Sequence, residues 1–378
     1  MTVIRIIRYF ITITILTFTY QVQSNELTQA EVDQTLRELH NITSFTCTHE
    51  QFSPTTKEVE SLFRYGQYLE QQIPEDFYFT EEDGDFTAIA RYYRIAVAKN
   101  YHPAYVALIS LLYKYHPDSG YYSNLSTARR QLRDDEIMNL KDQLLQQKTA
   151  SGYLAKAGEL EQKWNSREAT AYYYLAAMKG SMKGQNRLAI FLDDSQIISG
   201  IAIPNPPKNA WLRAKELYLC AASQGHQSAW GNAAAIELRY GTDESVIPLL
   251  QRGVSAGSTR SAILLEAIFQ GKSLSEMFSG SKKTRKRLNI KTDQERARRY
   301  DLYRQFLSSN QNNFVVSNVV IPDVNKYVPL PPAQLPEWDG VIPEQKTMIV
   351  EITKPSEALI EKLSNEENLD PATGKPKN

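Results

Sequence analysis

Four stretches of the chain superimpose on one another without a gap. They are Tyr92-Tyr93-x-x-Ala96-Val97-x-x-Asn100, Tyr172-Tyr173-x-x-Ala176-Ala177-x-x-Gly180, Leu217-Tyr218-x-x-Ala221-Ala222-x-x-Gly225 and Leu249-Leu250-x-x-Gly253-Val254-x-x-Gly257. After each, small or apolar residues recur every four positions: Ala104 and Leu108, Gly184 and Leu188, Ala229 and Ala233, Ser261 and Leu265. Residues four apart share one face of a helix, so the large pair stacks over the small pair. The small pair admits a second helix at close range. Gly or Asn three residues later marks a helix C-terminus that needs φ > 0. Each unit is therefore a helical hairpin, and one hairpin cannot bury its apolar face without stacked neighbours. A weaker copy lies between the first and second, with Leu144-Leu145 and Gly152 in matching columns but Lys148-Thr149 where the small pair belongs. These columns predict an all-α solenoid of hairpins over residues 81–271.

The ends differ from this array. Arg5 and Arg8 precede a Thr-interrupted apolar run from Tyr9 to Tyr20, no acidic residue occurs before Glu26, and Val22-Gln23-Ser24 supplies compact residues at a cleavage site. Residues 1–24 read as a signal peptide, because the apolar run is shorter than the roughly 20 residues of a spanning helix. Export and cleavage near Ser24 are expected, with no stable membrane insertion afterwards. Residues 25–80 are expected to form an N-terminal helical cap. Beyond residue 309 the chain turns Pro-rich: Pro322, Pro329, Pro331, Pro332, Pro336, Pro343 and Pro355 alternate with Val319, Val320, Ile321, Val328, Leu330, Leu335 and Trp338. Proline neither donates to a ladder nor continues a helix, so an extended strap packed on the body is expected. Leu359, Ile360 and Leu363 then share one face of a short helix begun at Pro355. Residues 272–378 thus comprise a helix, the strap and a terminal helix.

The repeat pattern over residues 86–271 resembles the Sel-1-like repeat, a short relative of the tetratricopeptide repeat. The flanking runs Phe45-Thr46-Cys47-Thr48-His49-Glu50, Pro329-Leu330-Pro331-Pro332-Ala333, Trp338-Asp339-Gly340 and Leu369-Asp370-Pro371-Ala372-Thr373-Gly374 are similar to those of exported bacterial proteins of that type, which end in a C-terminal domain of unknown function. The resemblance implies a right-handed solenoid. It also implies a periplasmic protein-binding role, because some members resemble immunity proteins for phospholipase effectors of the type VI secretion system. A general envelope assembly scaffold is the alternative, and a hydrolase a more distant one. Departures from the pattern are Asn100 in place of Gly, Lys148-Thr149 in place of a small pair, and the basic run Lys282, Lys283, Arg285, Lys286 and Arg287.

Composition and motifs exclude several functions. The 43 basic and 43 acidic residues balance, which removes any global electrostatic reason for binding nucleic acid. Two cysteines are too few for a disulfide-dense scaffold or a Cys-rich zinc module. In an oxidising compartment Cys47 and Cys220 either pair or leave a buried free thiol. The histidines at 40, 49, 102, 116 and 226 have no His, Cys or acidic partner at helical metal spacing, and His49-Glu50 beside Cys47 is the one mixed cluster. Gly253-Val254-Ser255-Ala256-Gly257 matches a nucleophile elbow, but its columns belong to the repeat and no strand is expected before it. No catalytic residue, cofactor or metal is expected. The basic run and the acidic group Glu75, Asp76, Glu81, Glu82, Asp83 and Asp85 read as solvated loops or steering patches. Asn41 and Asn124 begin glycosylation-type triplets. One tyrosine of each pair belongs to the core; Tyr93, Tyr173, Tyr174 and Tyr218 are candidate partner-binding residues, since tyrosine is favoured at interfaces, and Trp338 is either an anchor for the strap, the favoured reading, or a further partner-binding residue.

Overall fold

The computed structural model describes residues 26–52, 54–73, 84–114, 127–193, 209–241, 243–272, 290–309, 319–342, 345–346 and 352–377. The proposed signal peptide, the basic run at 282–287, most of the acidic group and the triplet at Asn124 lie outside them. The helices are α1 (Gln29–His40), α2 (Lys57–Gln71), α3 (Gly84–Ala98), α4 (His102–Lys114), α5 (Thr127–Gln146), α6 (Ala150–Gln162), α7 (Ser166–Met178) and α8 (Met182–Leu192). They continue as α9 (Ala210–Ser223), α10 (Gln227–Tyr240), α11 (Asp243–Ser255), α12 (Thr259–Phe269), α13 (Gln294–Ser309), α14 (Val324–Tyr327) and α15 (Glu357–Glu366). From α2 to α13 each helix packs on the next, which is an all-α solenoid. The extended segments β1 (Val319–Val320) and β2 (Gln345–Lys346) pair antiparallel.

The turns inside the hairpins explain the repeat. At Gly180, Gly225 and Gly257 φ is +95°, +99° and +89°, and at Asn100 and Lys148 it is 55° and 51°. Around each, the chain closes with the same two bonds. Gly180 N donates to Ala177 O and Ser181 N to Ala176 O; Lys148 N donates to Leu145 O and Thr149 N to Leu144 O. This is the paired hydrogen bonding of a helix stop in the left-handed conformation. It corrects the sequence alignment of the weak copy. Leu144-Leu145 occupies the small-pair column and Lys148 the glycine column, one helical turn from the register read in the sequence. Gly152 then matches Gly184, the first small residue of the return helix. A Cβ on Gly152 would lie 2.3 Å from Leu144 O, and one on Gly184 would lie 2.9 Å from Ala176 Cβ. Leu144 is tolerated because Gly152 yields the space.

The ends depart from a simple cap. Helix α1 begins with a reciprocal cap in which Thr28 Oγ1 accepts from Glu31 N and Glu31 accepts from Thr28 N. It lies against α7 rather than on the end of the array. Its Leu39 is buried with Tyr153, Ala169 and Tyr172. The terminal helix α15 returns to the first hairpin, where Ile360, Leu363 and Leu369 join Val59, Leu62 and Tyr92 in one core. Ion pairs Arg91–Glu357 (2.6 Å), Lys99–Glu366 (2.6 Å) and Lys99–Glu367 (2.8 Å) fix it there. By contrast Val324 and Val328 of the strap are buried with α11, α12 and α13. The C-terminal region therefore reaches both ends of the array.

Candidate partner-binding surface

The tyrosines chosen from the sequence are mostly core residues. Both members of the pairs Tyr92-Tyr93 and Tyr172-Tyr173 are buried, as is Tyr218. Tyr93 Oη donates to Glu70 (2.8 Å) and Tyr173 Oη to Glu161 (2.6 Å), so each hydroxyl has an internal acceptor. Burial raises the Tyr218 phenol well above its ordinary range. Tyr174 is half-buried and feels the charge of Glu38 on α1. The side of α7 near it is thus covered by the chain itself, and Leu27 N donates to Tyr172 Oη at 2.7 Å. Tyr93, Tyr173 and Tyr218 offer no surface to a partner. A Tyr pair followed by a small pair looks alike in sequence whether one or both rings are enclosed.

Trp338 anchors the strap. Its ring lies 5.4 Å from Tyr327 and 5.2 Å from the Arg299 guanidinium, and its Nε1 donates to Val341 O (2.9 Å). The strap's prolines remove N–H donors and leave carbonyls to be satisfied. Arginines on α13 supply the donors. Arg299 bonds Tyr327 O (2.7 Å) and Pro336 O (2.8 Å), while Arg296 bonds Pro329 O (3.2 Å) and Ala333 O. Gln251 donates to Val328 O (2.9 Å) and accepts from Tyr300 Oη (2.5 Å).

Another strap, the first in chain order and missed by the sequence reading, is formed by residues 45–52, so the Pro-rich strap is the second. Cys47 and Cys220 form a disulfide with Cα atoms 5.4 Å apart, which decides between the two states left open for them. Gln185 Nε2 donates to Thr48 O (2.8 Å), and Thr48 Oγ1 donates to Met178 O (3.3 Å). Glu50 accepts from Ser151 N (3.0 Å) and Ser151 Oγ (3.1 Å) at the start of α6. Phe52 lies 6.0 Å from the His102 ring at the start of α4. The strap thus crosses the turn edges of four successive hairpins. Burial raises the Glu50 carboxyl above its ordinary value despite the Ser151 hydrogen bonds. A raised folded pKa means the native state holds the proton longer, so stability falls as pH rises through that pKa. Thermal unfolding of Glu50→Gln should lack this decline, which begins as pH rises past the ordinary carboxylate value of 4.5, since the amide still accepts from Ser151 and does not ionise. An unchanged pH slope would refute the assignment.

Besides Phe52 and Val341 on the straps, several exposed large apolar residues lie on the helices and turns of the array. Val106 and Tyr113 on α4 and Leu132 and Met138 on α5 are exposed, and Trp164, between α6 and α7, is 82% exposed. Lys141 of α5 donates to Tyr113 Oη (2.6 Å), tying these two helices together. Trp164 has φ 60° and closes the turn with bonds from Trp164 N to Glu161 O and Asn165 N to Leu160 O. Bulky residues seldom occupy this conformation, and indole is rarely left in water. Both costs are consistent with a binding residue. Trp164→Gly should leave thermal stability unchanged or raise it by up to about 1 kcal/mol, because glycine fits the turn. The same change should weaken partner binding by about 2 kcal/mol, roughly thirtyfold in Kd. Loss of stability without loss of binding would assign Trp164 a packing role. The sequence signal was an aromatic outside any apolar period, in Lys163-Trp164-Asn165.

Ser255 is the last residue of α11 and is exposed. Its Gly-x-Ser-x-Gly run therefore begins inside the last turn of a helix, whereas a nucleophile elbow requires a strand before the serine. Among the described residues, no helix is long and apolar enough to cross a membrane.

The described residues thus form an all-α solenoid of stacked hairpins crossed by two straps. Comparison with known proteins narrows this. Residues 264–377, from α12 through the strap to the terminal tail, match the domain of unknown function DUF6396. No curated protein matches the chain. The fold is similar to the crystal structure of immunity protein PA5088 from Pseudomonas aeruginosa, with a TM-score of 0.50 and 17% sequence identity, covering 77% of this chain and 95% of that one.

Proposed function

We propose that this chain is a non-enzymatic immunity-type protein that acts by binding a protein partner. The observation that carries the reading is the shared fold with an immunity protein over 95% of that protein's length. The finer reading places it in the periplasm, where it neutralises a phospholipase effector of the type VI secretion system. The Cys47–Cys220 disulfide supports an oxidising compartment, as does the signal-like run at 1–24. Trp164, and separately the exposed Val106, Tyr113, Leu132 and Met138 of α4 and α5, are aromatic and aliphatic side chains of the kind that anchor a protein interface.

The test is a pull-down with residues 25–378 against an exported lipase encoded beside the gene, followed by a lipase assay. Stoichiometric binding that blocks lipolysis is expected. Binding without inhibition would support a general envelope scaffold instead. Lipid hydrolysis by the purified chain itself, abolished by Ser255→Ala, would overturn the non-enzymatic reading.

A further inference from the structure

The first strap brings three metal-binding side chains together. Cys47 and His49 are two residues apart in a segment outside any helix or ladder, and their ligand atoms lie close together. Cys220 meets them from α9, and the two sulfurs and a His49 ring nitrogen lie within 4.8 Å of one another. Thr48, between them, is held by Gln185 (2.8 Å) and by Gln224 (3.4 Å) through its carbonyl, which fixes the strap's position. Glu50 is engaged by Ser151 on α6 and is not part of the set. Cys220 is buried at the root, whereas Cys47 and His49 are exposed, so the group is reachable from solvent.

We propose that the reduced protein binds a thiophilic divalent cation of the zinc class through Cys47, His49 and Cys220, making this position a latch with two chemical states. In the oxidised state the disulfide holds the strap to α9. A dithiol reductant transfers two electrons and two protons to it by exchange: the Cys47–Cys220 bond breaks, both residues become thiols, and the reductant becomes a disulfide. The cation then displaces the two thiol protons and binds two thiolates and one neutral imidazole, with water in the fourth tetrahedral position. Three ligands with one open position suit exchangeable rather than permanent binding. The cation thus restores, across the same residues, the cross-link that reduction removes.

The test starts from folded, oxidised protein, residues 25–378. It is reduced with a water-soluble phosphine, which leaves as its oxide with oxygen from water, and desalted without air. Cobalt(II) is then titrated as a spectroscopic stand-in for zinc. One equivalent should bind, with near-ultraviolet thiolate-to-metal absorption and tetrahedral visible bands, both lost when zinc(II) is added. The oxidised protein should show none of this. His49→Ala keeps the disulfide, so it can be purified folded and then reduced; its cobalt affinity should fall at least about tenfold. Cys47→Ser leaves Cys220 as the one thiolate of the site, so the thiolate band should fall by about half or more, with helicity checked by circular dichroism. Absence of a thiolate–cobalt band in the reduced protein would overturn the proposal, as would equal affinity in the His49→Ala protein.

Discussion

Gly180→Ala should destabilise the oxidised protein by about 3 kcal/mol or more, while Gly225→Ala costs only about 1–2 kcal/mol. The two glycines occupy the same column and nearly the same conformation, with φ of +95° and +99°. Strain from a side chain in the left-handed region is therefore common to both. The difference is what lies over them. A Cβ on Gly180 would lie 2.3 Å from His49 C, 2.4 Å from Glu50 N and 2.7 Å from His49 O, whereas one on Gly225 would meet nothing within 4 Å. Those neighbours are backbone atoms and cannot rotate away. The strap they belong to is fixed by the Cys47–Cys220 disulfide on one side and by Ser151 on the other.

This reasoning makes a sharper claim through a double-mutant cycle. In a Cys47→Ser background the strap can lift from the turn edge, so the excess cost of Gly180→Ala over Gly225→Ala should shrink. Cys47→Ser alone should cost about 4–5 kcal/mol, because the bridge closes a very long loop. Chemical denaturation of the four Gly180/Cys47 combinations reads the coupling directly. Equal costs for the two glycine changes in the oxidised protein would show that the strap does not press on Gly180.

The same pair of glycines shows what the sequence could reveal. The repeat is local: large pair, small pair, helix stop and small residue all fall within one hairpin, so one chain segment contains its own evidence. That made the solenoid legible even where Asn100 stands for Gly. The weak copy was read one turn out of register because Leu144 is not small, and its compensation, Gly152, was already assigned to the stop. The straps were legible only in part. Seven prolines announce the second one, but its anchors are arginines on α13, a helix whose charge pattern reads as solvent-facing. The first strap has no periodicity at all. Its placement depends on Gln185, Gln224, Ser151 and Cys220, each distant in sequence from residues 45–52. For the binding surface the error was one of kind. Tyrosine is as good a core residue as an interface residue, and Glu70 and Glu161 gave Tyr93 and Tyr173 part-buried internal acceptors that no column of the repeat displays.

Arg299→Ala should release the second strap and cost about 2–4 kcal/mol, from two carbonyls left without donors. Arg299 is buried and binds Tyr327 O and Pro336 O at once, on either side of the Pro-rich bend, with Trp338 stacked on its guanidinium. Glu295 orients it through Arg299 Nε at 2.9 Å. That carboxyl is held down to about 2, first by its hydrogen bond from Arg298 and then by Arg299, so it stays ionised through the physiological range. Arg299→Lys should recover little. An ammonium is a single point donor, and it cannot span two carbonyls and stack on indole from one position. Arg298→Ala is the control: Arg298 is half-exposed and pairs with the same Glu295, so its loss should cost no more than about 1 kcal/mol. Denaturation ranks the three, and limited proteolysis locates the effect, with new cleavage expected between residues 319 and 342 in the Arg299 variants alone. The strap precedes α15 in the sequence, and α15 is seated on the first hairpin by Arg91 and Lys99. If the strap carries mechanical coupling between the two ends of the array, Arg299→Ala should also speed hydrogen exchange in α15. Protection of α15 equal to that of the unchanged protein would show that the two ends are held independently.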